Sequence, residues 1–259
     1  MLSKVKSLIT HLIKGRTKYY IHSPFVFSFI NEVLHDKREF YFFEDIQKVR
    51  LELLKNTSII DVEDFGAGTK TVPATARKIS SIAKTACITK KYGQLLTHIV
   101  DHFQNTSILE MGTCLGLGTS YLAMPNSKAR VITLEGDKQL TLFADKTLKQ
   151  LHIKNTEVIM GNFSVTLPIA LEKLKTIDLA FIDGNHSYGP TIDYFHQILS
   201  HVTNDSILIF DDIHWSEDME KAWRAICSHP KVTVTIDLYR MGIVFFRQEQ
   251  AKENFILYF

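Results

Sequence analysis

The sequence predicts an α/β fold built on a doubly wound, mostly parallel β-sheet. After residue 105, short apolar runs alternate with segments in which apolar residues recur three and four apart. Such alternation of strand and helix is typical of a parallel sheet covered by helices on both faces. The predicted strands of this part are 107–111, 131–135, 156–160, 177–182 and 206–210.

The last two strands differ from the others. Residues 232–236 and 242–246 are β-branched and aromatic runs, and only residues 237–241 join them. A parallel crossover needs a dozen or more residues. We therefore predict an antiparallel C-terminal hairpin at one edge of the sheet.

The N-terminal part has a different pattern, and the predicted division lies near residue 95. Residues 1–95 are expected to form a helical extension, and residues 96–259 a nucleotide-binding domain. Residues 1–15 form an amphipathic helix with lysines off its apolar face. Such a helix can lie on a membrane, but packing on a core or on a subunit partner is the preferred interpretation. Residues 19–27 are rich in aromatic side chains, for which core packing is the preferred interpretation and a lid or a dimer surface the alternatives. This aromatic-rich segment predicts a homo-oligomer, preferably a homodimer.

Composition narrows the class of protein. The chain has 259 residues, is 45% hydrophobic and carries a net charge of +2, which favours an ordinary enzyme and gives no reason to expect nucleic acid or membrane as a partner. Three scattered cysteines, Cys87, Cys114 and Cys227, form neither a disulfide framework nor a zinc site. No apolar run approaches the ~20 residues of a membrane span. A cytoplasmic location is therefore expected.

A glycine-rich loop follows the first predicted strand of the sheet. Gly112, Gly116 and Gly118 are spaced Gly-x-x-x-Gly-x-Gly, unlike the Gly-x-Gly-x-x-Gly of dinucleotide sites. Glu135 ends the second strand, 23 residues later (135 − 112), where an acid can accept hydrogen bonds from both ribose hydroxyls. This unit predicts a ligand of the adenosine type. A second glycine-rich stretch, residues 62–69, precedes Pro73 and is interpreted as a turn.

Carboxylates follow two further strands. Asp183 directly follows the predicted strand 177–182, and Asp211 and Asp212 directly follow the predicted strand 206–210. The carboxyl ends of parallel strands form the ligand-binding crevice, and three crowded carboxylates repel one another. A divalent cation such as Mg²⁺ would relieve that repulsion. The alternative is that some of these residues cap the helices that follow.

Six short motifs in this order resemble the metal-dependent O-methyltransferases of the catechol and caffeoyl-coenzyme A type. These are class I S-adenosylmethionine enzymes with a Rossmann-like fold. The likeness covers roughly residues 90–247. The motifs are Lys91-Tyr92-Gly93-Gln94-Leu95-Leu96, Leu109-Glu110-Met111-Gly112-Thr113, Leu134-Glu135, Gly161-Asn162-Phe163, Phe181-Ile182-Asp183 and Asp211-Asp212-Ile213-His214-Trp215.

The resemblance implies a set of site residues. It places the methionine end of the cofactor at the first strand end, the ribose at Glu135 and the adenine between Asn162 and Phe163. It also implies metal ligands 28 residues apart (211 − 183), as in the family. The implied cofactor-binding residues are Glu110, Gly112, Thr113, Gly116, Glu135, Gly136, Asn162, Phe163 and Asp183, and the implied metal ligands are Asp183, Asp211 and Asp212.

The chain departs from the family at two positions. Asp212 stands where the family usually has Asn, and His186 (183 + 3) stands where it has a catalytic Lys. A neutral His can remove the proton of a hydroxyl at physiological pH. His186 with Asp183 is therefore the predicted catalytic pair, although His186 could instead bind metal or fix its loop. Of the neighbouring side chains, His214 is expected to be structural, and Trp215 to line either the acceptor pocket or the core.

The resemblance implies methyl transfer from S-adenosylmethionine to a hydroxyl of a small molecule, with a divalent cation assisting. Two alternatives stay open. One is a catalytically idle domain that binds S-adenosylmethionine or a partner protein. The other is a nicotinamide-dependent dehydrogenase, which the glycine spacing disfavours.

Overall fold

The computed structural model describes residues 2–63 and 75–259. The second glycine-rich stretch that the sequence interprets as a turn lies mostly outside these residues. The described strands are β1 Ile59–Val62, β2 Thr75–Lys78, β3 Ser107–Met111, β4 Arg130–Glu135, β5 Thr156–Met160, β6 Ile177–Ile182, β7 Val202–Phe210, β8 Val234–Asp237, β9 Gly242–Phe245 and β10 Glu253–Ile256.

Eight of the described strands form the central sheet, in the order β10-β8-β9-β7-β6-β3-β4-β5. Strands β5, β4, β3, β6 and β7 are parallel to one another, whereas β9 is antiparallel to both β7 and β8. The predicted α/β fold with an antiparallel C-terminal hairpin is confirmed. The hairpin does not itself form the edge, because β10 adds one more parallel strand beside β8.

The chain order within the sheet reverses at β3. From β3 the chain moves outward to β4 and β5, then returns to β6 on the other side of β3 and continues to β7. Such a reversal opens a crevice at the carboxyl ends of the two central strands. Residues 112–119 follow β3 and residues 183–187 follow β6, so both predicted site loops meet there.

Both faces of the sheet are buried, as is typical of parallel sheets. Leu179 and Phe181 of β6 belong to one apolar cluster, and Ala180 and Ile182 belong to the other. Side chains from the N-terminal part, such as Ile46, join the first cluster.

The described α-helices are α1 Leu2–Lys14, α2 Pro24–Phe29, α3 Phe43–Lys55, α4 Ile79–Thr85, α5 Lys90–Phe103, α6 Leu117–Ala123, α7 Lys138–Gln150, α8 Phe163–Leu174, α9 Tyr188–Ile198 and α10 Glu217–Ser228.

The amphipathic N-terminal segment is helical, as predicted. Its side chains Leu8, Ile9, Leu12 and Ile13 are 41–77% exposed, so this apolar face does not pack on the core of its own chain. The opposite side of α1 buries His11 against the C-terminal hairpin. The predicted division near residue 95 falls within α5. Among the described helices, none combines the length and apolarity needed to cross a bilayer.

Candidate active site

The β3–α6 loop is held by the neighbouring strands. The backbone N–H of Gly112 donates to the carbonyl of Leu134 at 2.9 Å. Gly112 has φ +106°, and a Cβ there would lie 2.1 Å from the carbonyl oxygen of Asp183. Glycine is therefore required at this position by the packing of the β3 loop on the β6 loop, before any ligand is considered.

Glu110 is a fully buried carboxylate behind this loop. Its Oε2 accepts hydrogen bonds from the hydroxyls of Thr119 and Thr133, whereas Oε1 has no hydrogen-bond partner among the described residues. Burial raises the pKa of Glu110 to about 7. A buried acceptor without a partner is a place where a donor of a bound ligand is expected.

Glu135 ends β4 at the mouth of the same crevice. Its Oε2 accepts from the backbone N–H of Cys114 at 2.8 Å, and its Oε1 accepts from that of Asp137 at 3.0 Å. Burial raises the pKa of Glu135, and these two backbone donors oppose that effect. The carboxylate is thus fixed in orientation beside Gly136.

Other predicted cofactor residues have structural contacts of their own. The Thr113 hydroxyl pairs with that of Thr133 at 2.6 Å, and Gly116, with φ +80°, starts α6 where a Cβ would lie 3.2 Å from Ala144. Asn162 caps α8 by accepting from the backbone of Ser164. Thr113 and Asn162 thus make structural side-chain hydrogen bonds, and Gly116 packs closely against α7.

A cavity of about 520 Å³ opens at the carboxyl ends of β3, β4, β6 and β7. That volume suits a small-molecule ligand. The structure brings part of the predicted cofactor set and the predicted catalytic pair into this one cavity, whereas Glu110, Thr113, Gly116, Asn162 and Asp211 are not among its lining residues. Its lining includes Gly112, Glu135, Gly136, Phe163, Asp183, His186, Asp212, Trp215 and Arg240.

His186 and Asp183 lie together at the end of β6. Nε2 of His186 is 3.6 Å from Oδ1 of Asp183, and Nδ1 of His186 has no hydrogen-bond partner among the described residues. Burial raises the pKa of Asp183 well above its usual range, and the nearby carboxylates of Asp211 and Asp212 raise it further. The three carboxylates therefore share one electrostatic environment, as the sequence predicts.

Arg240 is the residue that sequence reasoning missed. Its guanidinium binds both carboxylate oxygens of the fully buried Asp211, with Nη2 at 2.8 Å and Nε at 3.1 Å, and Nε lies 3.8 Å from Asp212. The hairpin supplied a signal, because an antiparallel return beside β7 puts the preceding loop at the carboxyl end of that strand. Burial opposes the charge of Arg240, but Asp211 and its neighbours raise its pKa further above its usual value.

These contacts do not fit a divalent cation between the three carboxylates. Both oxygens of Asp211 are already engaged by Arg240. Within the described residues, the potential ligand atoms that lie within 4.8 Å of one another belong to another group, His11, His214 and Asp237. The predicted metal thus stays a prediction.

The other aromatic candidates have clear places. His214 is hydrogen-bonded to Asp237 at 2.8 Å and stacks on Tyr239, so its contacts are those of a structural residue. Trp215 is 55% exposed and lines the cavity, not the core.

Comparisons with known proteins agree with this geometry. Residues 109–213 match a family model described as a methyltransferase domain. No curated protein matches the chain.

Solved structures share the fold at low sequence identity. Cofactor-bound Rv0187 from MTB is 16% identical, with TM-score 0.60 over 88% of this chain and 99% of that one. The O-methyltransferase from Bacillus cereus in complex with SAH is 18% identical, with TM-score 0.56 over 85% and 96% of the two chains. The O-methyltransferase TomG from Streptomyces achromogenes, in complex with SAM, is 19% identical, with TM-score 0.54 over 62% and 82%. Residues 109–213 therefore match a methyltransferase domain, and the chain shares the fold of solved O-methyltransferases that bind SAM or SAH.

Proposed function

We propose that this protein transfers a methyl group from S-adenosylmethionine to a hydroxyl group of a small molecule. The main support for the proposal is that Glu135 and the His186–Asp183 pair line the same cavity. The solved structures with bound SAM or SAH support the same choice of cofactor.

The residues present fit this cofactor. Glu135 is a fixed carboxylate at the position that binds ribose hydroxyls in this fold. The aromatic ring of Phe163 supplies an apolar wall. When bound, S-adenosylmethionine would supply a methyl group on a positively charged sulfur.

The remaining task for the protein is to remove a proton from the acceptor. A neutral imidazole can accept it, and His186 lines the cavity with one ring nitrogen directed to Asp183. The Asp183 carboxylate would orient the ring and stabilise the imidazolium that forms. Trp215, exposed at the cavity, would contact the acceptor.

Two binding measurements separate this function from its alternatives. Calorimetry should show binding of S-adenosylmethionine and S-adenosylhomocysteine but not of NAD. Release of S-adenosylhomocysteine with phenols, sugars and macrolides as acceptors should then identify an active class. NAD binding would support a dehydrogenase, and cofactor binding without turnover of any acceptor would support an idle domain.

Glu135→Ala tests the cofactor site directly. We expect S-adenosylmethionine to bind about 1.5–3 kcal/mol more weakly, because charge-assisted hydrogen bonds to the ribose are lost. Glu157→Ala is the matched control, since Glu157 pairs with Arg130 and Lys173 away from the cavity. Equal affinities of both variants and the wild type, by calorimetry, would contradict the proposed placement of the cofactor.

A further inference from the structure

The acidic side of the cavity already contains a cation. Asp183, Asp211 and Asp212 follow two adjacent strands, and the guanidinium of Arg240 lies among them. It makes a two-pronged contact with Asp211, whose side chain is completely buried. A paired geometry of this kind is the strong form of an arginine–carboxylate interaction.

The fold holds Arg240 in place through three separate contacts. Gly242 of β9 pairs with Phe210, the last residue of β7, so the loop before β9 arrives beside Asp211. The carbonyl of Arg240 accepts a hydrogen bond from the backbone of Ile213 at 3.2 Å. The guanidinium also lies over the ring of Tyr92, 5.6 Å from its centroid.

We propose that Arg240 is the permanent cation of this active site, and that it replaces the divalent metal that this arrangement of carboxylates would otherwise require. A metal ion would need carboxylate oxygens of Asp211, and both are bound by a group that carries its charge at every physiological pH. The ion would therefore have to displace the guanidinium and enter a completely buried position.

This inference rests on the proposed function and narrows its substrate class. A divalent cation, if bound here, would supply two ligand positions for neighbouring oxygens of an acceptor and would thereby favour vicinal diols. Arg240 makes its two shortest hydrogen bonds with Asp211 and not with an acceptor. Binding of the acceptor in the described site therefore does not require a second, neighbouring oxygen. Acceptors with a single reactive hydroxyl should be methylated as readily as vicinal ones, with His186 taking the proton.

The experiment compares Arg240→Ala with the wild type in calorimetric titrations with Mg²⁺ and with Ca²⁺. These ions prefer oxygen ligands, so they avoid the group of His11, His214 and Asp237. The wild type should bind neither ion. Arg240→Ala removes the guanidinium from among Asp183, Asp211 and Asp212 and should gain one site, and adding Asp211→Asn should remove it. Arg247→Ala is the matched control, since Arg247 is equally exposed at 27% and also pairs with two carboxylates.

Turnover gives the second readout. Wild-type release of S-adenosylhomocysteine should be unchanged by EDTA and by added Mg²⁺. Turnover that EDTA abolishes and Mg²⁺ restores would overturn the inference while leaving the proposed function intact. If no acceptor is turned over, the proposed function fails. The calorimetric titrations would still show whether Arg240 excludes a divalent cation from the site.

Two binding results would also overturn the inference. One is a wild-type Mg²⁺ site that Asp211→Asn removes. The other is a folded Arg240→Ala that gains no ion. Should Arg240→Ala not fold, Arg240→Lys keeps the charge and should bind no ion, and the wild-type titration remains decisive.

Discussion

His186 is the side chain on which the proposed proton transfer depends. It lies 3.6 Å from Asp183 and lines the cavity. We expect His186→Ala to lower kcat by about 10²–10⁴, the usual contribution of a general base. Cofactor affinity should change little, because His186 is not among the predicted cofactor residues. A variant with unchanged kcat in steady-state assays would assign proton removal to another group.

Glu110 should make stability depend on pH. Its pKa is raised from 4.5 to about 7 by burial. The folded state therefore holds a proton that the unfolded state releases, and this contribution is fully present below about pH 4.5 and lost as pH rises through about 7. The loss amounts to about 3 kcal/mol at most, since one pKa unit corresponds to about 1.4 kcal/mol.

The comparison is with Glu110→Gln, which keeps the acceptor for Thr119 and Thr133 but does not titrate. Chemical denaturation of both proteins without cofactor, from pH 4.5 to 8, should show the free energy of unfolding of the wild type falling relative to the variant. Parallel curves would mean that Glu110 titrates normally.

At the scale of elements, the β3–α6 loop shows which glycines the fold itself needs. We expect Gly112→Ala to destabilise the protein by at least about 1–3 kcal/mol, because the residue has φ +106° and its Cβ would also lie 2.1 Å from the carbonyl oxygen of Asp183. Gly189→Ala is the control, since nothing lies within 4 Å of its Cβ. Thermal unfolding without cofactor should separate the two variants, and equal melting temperatures would contradict this account.

The strands that bury both faces were predictable from sequence, because an uninterrupted apolar run is a strong signal. Short strands with mixed polarity were not: β1, β2 and β10 are four residues each, and most of their side chains are partly or fully exposed. Carboxylates at strand ends could be placed from the strand positions. The hairpin places the loop of Arg240 at the same edge, but the contact of Arg240 with Asp211 was not predictable, because it depends on the register between β7 and β9.

At the scale of the whole molecule, the exposed face of α1 bears on the predicted homodimer. Leu12 and Ile13 are 56% and 77% exposed, and burying such side chains against a second copy is favourable. Light scattering at micromolar concentration should give twice the mass of one chain. Replacing Leu12 and Ile13 with Glu should give a monomer, whereas Leu142→Glu on α7 should not. A monomeric wild type would refute the prediction.

The attachment of α1 also has a consequence for the order of events during synthesis. The segment after α1 is bound by residues far along the chain: Arg16 donates to the carbonyl of Ile256 at 2.8 Å, and Tyr258 donates to that of Leu12 across 246 positions. At ~5–20 residues per second, the ribosome makes α1 on the order of 10–50 s before these partners exist. During that interval α1 lacks these C-terminal partners. If two nascent chains lie side by side, the α1 of one chain can then dock on the C-terminal residues of the other.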